Sequence, residues 1–292
     1  MALDTQVASE LTQDQVSTIL TQPLEQRSVF LAAGPTIFDT NGSPVRVPAA
    51  PGSEADELQW VGENELIPEV DPEMGEMSLL PSTMKSVKTI TRYSNELARQ
   101  SIVSLDRVLQ DRLVADVATK LDRQFLSDQG DGITTPQGMF AWPGVEDVDA
   151  AAGLNLDTIL AAQGIALESY VDLNRLALFI RPGDLMTLRG LKDNDGHYIL
   201  NADATQGGGF RVLGMNVLVS SHIPAGRAAL ADMSMVAVAR DLAPSVKILT
   251  ERYADYDQQA LRVVARYDAK PLDPSAVLTL SGITNGDPAP EA

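Results

Sequence analysis

Between Leu105 and Phe125 an apolar side chain returns every fourth residue: Leu105, Leu109, Leu113, Val117, Leu121 and Phe125. Ile102, Val108 and Val114 widen the stripe, and no glycine or proline interrupts residues 94–126. Such spacing puts apolar atoms along one face of an α-helix. The pattern predicts an amphipathic helix of roughly 30 residues, about 45 Å long at 1.5 Å per residue. Ser94 is placed to cap it, with Glu96 in the first turn. Helices in ordinary domains average about 11–12 residues, so this one is too long to bury itself easily in a small core. A spacing of four drifts off a heptad seam, which argues against a coiled coil.

The rest of the chain bounds what that helix belongs to. At 292 residues and 44% apolar content there is enough material for one large or two moderate cores. There are no cysteines, so disulfides, thiolate metal sites and cysteine nucleophiles are excluded. No apolar run reaches the roughly 18–20 residues that span a bilayer, and the N-terminus shows no signal-peptide pattern. The formal net charge is −18. An acidic chain is repelled by nucleic-acid phosphates unless it segregates a basic patch. Lysines and arginines look scattered, so sequence-specific nucleic-acid binding is not expected, although an acidic surface can face DNA without gripping it.

Along the chain, residues 1–33 mix short polar helical patterns with the apolar patch Val29–Ala33. Residues 34–53 are punctuated by Gly34-Pro35, Asn41-Gly42, Pro44, Pro48 and Pro51-Gly52. That composition suits extended chain and packs poorly, so 1–53 reads as an N-terminal arm. Residues 54–80 hold nine acids, and no lysine or arginine lies between Arg46 and Lys85. Strand-like pieces at 58–63 and 77–82, with a second strand at 84–92, suggest a long β-hairpin with an acidic tip. A disordered acidic loop fits the composition equally. Further on, 154–170 reads as a helix and 176–180 as a buried strand. Residues 184–191 read as a short helix ending at Gly190. Strands are expected at 212–221, 227–240, 245–253 and 259–272, with a frayed tail after Gly282. Helices and strands mix without a βαβ beat, which defines an α+β fold class.

No chemistry-bearing motif survives scrutiny. Gly130-Asp131-Gly132 follows a helix, whereas a phosphate loop precedes one, so a helix C-cap is the better reading. Asp193-Asn194-Asp195-Gly196 starts like a calcium loop, but Ala204 stands at its twelfth position where a glutamate is needed. The glycines of 207–209 precede a strand. His197 and His222 are the only histidines and lie far apart in sequence, which is poor spacing for zinc. Ser220, Ser221 and His222 lack a nucleophile-elbow pattern. No catalytic residue, cofactor site or metal site is expected. What remains is an arm, an acidic hairpin and an overlong helix. Such pieces lose entropy unless something docks on them, and copies of the same chain are the economical partner.

The order of these pieces resembles the tailed-phage major capsid proteins with the HK97-type fold. Ser94, Glu96 and Leu97 open the helix as in that family. Asp122, Phe125 and Leu126 lead through Gly130 and Gly132 to Pro136 and Gly138, a step that is similar to its helix-to-sheet hinge. Residues 188–200, 213–241 and 262–277 are similar to three later family segments. The likeness covers roughly 90–280 by motif and 45–90 by layout.

The resemblance implies an α+β, HK97-like capsid fold. Its parts would be an N-arm at 1–53, an extended hairpin (E-loop) at 54–92, and a P-domain with a spine helix at 93–150. An A-domain would occupy mainly 151–250, and a closing P-domain strand and tail 251–292. It implies pentamers and hexamers of an icosahedral shell around double-stranded DNA, enclosed without specific binding, with assembly in the host cytoplasm and no membrane. Separate scaffold, portal and cement proteins are its further partners. Because the chain begins at Met1 with a short arm, any scaffold is expected to be a separate protein. The hairpin tip has no lysine, so covalent cross-links between subunits are not expected. The acids Glu63, Glu65, Glu69, Asp71 and Glu73 are expected to meet Arg92, Arg99, Arg107 or Arg112 of a neighbour. An encapsulin-like nanocompartment shell and, from another class, a soluble carboxylate- or metal-dependent hydrolase stay open as alternatives.

Overall fold

In the computed structural model of the chain, the described residues are 27–41, 43–49, 60–62, 75–80, 85–96, 105–150, 153–192, 195 and 210–284. In chain order the elements begin with α1 (Val29–Ala32), β1 (Thr36–Thr40), β2 (Val45–Ala49), β3 (Gly75–Leu79), β4 (Ser86–Ser94) and α2 (Leu105–Phe125). They continue with β5 (Glu146–Asp149), α3 (Leu156–Glu168), β6 (Leu176–Ile180), α4 (Pro182–Arg189), β7 (Phe210–Val212) and β8 (Met215–Val219). The last are β9 (Ala228–Asp232), β10 (Val236–Leu249), β11 (Gln258–Pro271) and β12 (Val277–Ser281). They form a four-stranded sheet β1-β10-β11-β4, a six-stranded sheet β5-β12-β9-β6-β8-β7, and the pair β2-β3.

The fourfold apolar spacing becomes two adjacent ridges on α2. Leu113, Val117, Leu121 and Phe125 form one ridge, and Val114, Ala118 and Asp122 the other, continued by Leu126; all are buried. Each fully buried Leu, Val or Phe contributes about 1.5–3 kcal/mol. The ridges pack on β11, whose Leu261, Val263, Ala265, Tyr267 and Ala269 alternate toward the helix. The six-stranded sheet closes the same core from its other side with Ala177, Phe179, Ala229, Ala231 and Val277. Its opposite face, with Leu178, Ile180, Leu230 and Leu278, lies under α3 and α4 in a second core. That double cover explains why β6 is five apolar residues in a row.

Several expectations need correction. The N-terminal segment is not an unpacked arm throughout. Phe30 is fully buried and stacks on Phe125, ring centroids 4.9 Å apart, and β1 pairs in parallel with β10. Its apolar patch is worth more in the core than in solvent, whatever the prolines around it. The expected hairpin also pairs differently. β3 pairs antiparallel with β2, Val45 opposite Leu79, while β4 pairs with β11. Leu79 and Leu80 are buried against Ala237 and Ala239 on the back of the four-stranded sheet, a burial that pairing with β4 does not provide. The acidic tip lies outside the described residues apart from Trp60, Val61 and Gly62, as do residues 1–26 and the tail beyond 284. The helix is seen from Leu105; Ser94 ends β4, its Oγ accepting from the Glu96 N–H at 3.2 Å, and 97–104 lie outside the described residues. Residues 210–219 form a β-hairpin around Leu213-Gly214 instead of one strand. Residues 228–249 break at Met233–Met235, so that β9 and β10 enter different sheets.

The glycine step is a closed loop beyond the helix, not its C-cap. The Gly138 N–H donates to the Gln129 carbonyl at 2.9 Å, and the Phe140 N–H to that of Ser127 at 3.2 Å. Gln124 Nε2 donates to the Pro136 carbonyl at 2.7 Å. A Cβ at Gly138 would sit 2.0 Å from the Ser127 carbonyl oxygen, and one at Gly130, where φ is +117°, 2.2 Å from that of Pro136. The chain then passes to β5, which pairs with β12. Gly138→Ala is therefore expected to cost about 1–3 kcal/mol through that clash. Gly164→Ala, on the open face of α3 with nothing within 4 Å, should gain about 0.5–1 kcal/mol. Denaturant midpoints of the two variants check both signs.

Candidate inter-subunit surface

Three carboxylates fasten the parts that project from the sheets. Asp122 lies in the second ridge of α2 and reaches the start of α1. It accepts from Ser28 Oγ at 2.5 Å, the Val29 N–H at 2.8 Å and the Phe30 N–H at 3.2 Å. A carboxylate is the right group there, because the first amides of a helix have no partners of their own. Asp131 organises the glycine loop. It accepts from the hydroxyls of Thr134 and Thr135 and the amides of Ile133, Thr134 and Thr135. The Thr134 hydroxyl first, then the Thr135 amide, hold its carboxyl well below the usual carboxylate range.

Asp268 is the third. It sits on the back of β11 and is fully buried. Lys85 Nζ lies 2.7 Å from its Oδ2, the two side chains being 1% and 0% exposed. The Leu80 N–H donates to the same oxygen at 3.0 Å, so the pair clamps both ends of the link between β3 and β4. Nearby, Lys270 Nζ donates to the Ser78 carbonyl at 2.9 Å, and Arg46 pairs with Glu76 across the β2-β3 hairpin at 3.3 Å. The base of the hairpin is thus fixed to the back of the sheet.

That same back face carries a band of positive charge. On β4, Lys88, Ile90 and Arg92 stand opposite Val264, Arg262 and Ala260 of β11. On β10, Lys247 stands opposite Arg262 from the other side. Residues directly opposite in an antiparallel pair share a face, so Lys88, Arg92, Lys247 and Arg262 project together. At the end of the band Arg92 and Arg252 both lie against the Tyr253 ring, 5.3 and 5.6 Å from its centroid. The acids of this face are already taken: Asp268 by Lys85, and Asp241 by Arg266 at 2.6 Å. Among the described residues none of the four cations has a carboxylate within ion-pair distance. The Nε atoms of Arg262 and Arg266 are buried without a hydrogen-bond partner among the described residues.

The expectation that cations are scattered is therefore overturned by the sheet pairing. Of the bases expected to meet a neighbour's acids, Arg92 belongs to the band. Arg112 is on the solvent side of α2, the other side of the sheet, near Asp116 at 3.9 Å. Only the helical backbone of Arg107 is described. Arg99 and the acids Glu63, Glu65, Glu69, Asp71 and Glu73 lie outside the described residues, as do His197, residues 193–194 and 205–209. His222 is half-buried, its N–H donating to Ser220 Oγ at 3.2 Å. Among the described residues no group of three or more His, Asp or Glu is placed to hold a metal. Sequence reading placed Asp122 only in the family-like step after the helix, and missed its role and those of Lys85, Asp268, Lys88, Lys247 and Arg262. Two signals were available: an acid in step with the ridge at 114, 118 and 122, and cations four residues apart on two strands, which puts each pair on one face.

A model of the phage capsid family matches residues 9–282, and the chain belongs to that family. It is a major capsid protein, a structural component of a virion shell. Its fold is similar to the capsid of a native GTA particle, with a TM-score of 0.70 and 17% identity over 88% of this chain and 90% of that one. Microbacterium phage Oxtober96 gives 0.70 and 17% over 87% and 90%, and Mycobacterium phage Adephagia 0.68 and 17% over 90% and 91%. No curated protein matches the chain.

Two predictions follow from the carboxylates. Lys85→Met leaves Asp268 charged in the interior and is expected to cost about 3–5 kcal/mol in urea unfolding. Asp131 has a folded pKa below its ordinary value of 3.8, so its contribution is present above that value and is lost as pH falls through the folded pKa. The difference in thermal midpoint between wild type and Asp131→Asn should be constant above about pH 5 and shrink below about pH 4.

Proposed function

We propose that copies of this chain assemble into pentamers and hexamers that close an icosahedral shell around double-stranded DNA. The observation that supports it most is the hairpin: its base is locked to the sheet by a buried ion pair, while Trp60, in the segment it carries, is fully exposed. A large aromatic ring held in water is a cost unless another surface covers it. In this reading β2 and β3 are the base of the E-loop, α2 is the spine helix, and α3, α4 and β6 to β9 are the A-domain that meets its copies at a capsomer centre. Gly130, Gly132, Pro136 and Gly138 are the hinge between spine helix and sheet. The role is structural, not catalytic.

The DNA is enclosed, not gripped. A net charge of −18 per chain gives a shell wall no general affinity for phosphate. The shell closes without covalent bonds between subunits, since the ammonium of Lys85 is buried against Asp268 and the hairpin tip holds no lysine. Purified shells boiled in detergent are then expected to run as the 31.3 kDa monomer, and a ladder of multiples would contradict this.

Shell formation itself is tested with the expressed protein by sedimentation and negative-stain microscopy. Pentamers, hexamers or closed particles are expected. A compact monomer at high protein concentration overturns the proposal.

A further inference from the structure

We draw no further inference here: the strongest candidate, the outward apolar face of α3, where Leu160, Gly164 and Leu167 are exposed at helical spacing with Tyr170 just beyond them, carries none because nothing in the structure shows what covers it.

Discussion

Strand β11 is the member on which the other parts converge. A β-strand presents successive side chains to opposite faces, and this one uses the two faces for different ends. Its odd-numbered residues from Leu261 to Ala269 are buried beneath α2. Its even-numbered residues carry Arg262, Arg266 and Asp268 on the back. A one-residue slip in register would drive three charges under the helix and expose five apolar side chains. The register is therefore fixed by the helix side, and the charges on the other side are held in place as a consequence. Rigidity of the contact surface comes from the core behind it.

The same economy appears in the buried carboxylates. Asp122 and Asp268 accept hydrogen bonds from segments that are distant in sequence, Ser28 to Phe30 and Leu80 to Lys85. A buried carboxylate adds little net stability, whether a cation meets it as at Asp268 or hydroxyl and amide donors as at Asp122, because desolvation offsets attraction, but one left without its partners is heavily penalised. Their effect here is to specify which segment docks where. The N-terminal segment must meet α2 at Asp122, and the hairpin base must meet β11 at Asp268. A projecting segment emerges from a defined point, a requirement for any part that has to reach the same place on every neighbour in a closed shell.

What the sequence discloses follows from the range of the interactions. The ridge of α2, the buried strand β6 and the helix stop at Gly190 depend on neighbours within a few residues, and each is legible from periodicity and from Pro182 and Gly190. The glycine loop is half legible: the turn residues are plain, but the Asp131 network that shapes it depends on how the loop closes in space. The pairing of β3 with β2, the parallel entry of β1 beside β10, and the band formed by Lys88, Lys247 and Arg262 depend on contacts across about 15 to 200 residues of chain. Cations four residues apart on β4 and on β11 hint at a charged face; only the topology brings the two strands side by side. The acidic segment is conspicuous in sequence because its charges are adjacent in the chain, whereas the charges of the cationic band are adjacent only in space.

That asymmetry bears on how a shell can be assembled at the right time. A linear cluster of acids stays a cluster whether or not the chain is folded, while the cationic band exists only after β4, β10 and β11 have paired. The band is thereby conditional on folding, and unfolded chains, all strongly negative, repel one another. Each exposed ion pair is worth roughly 0–1 kcal/mol, too little to hold two copies alone, yet linked contacts repeated around a closed surface multiply into avidity. Weak individual contacts let a misplaced subunit leave before the shell closes around it, and their number holds the finished shell together. A few strong contacts would provide the second property and lose the first.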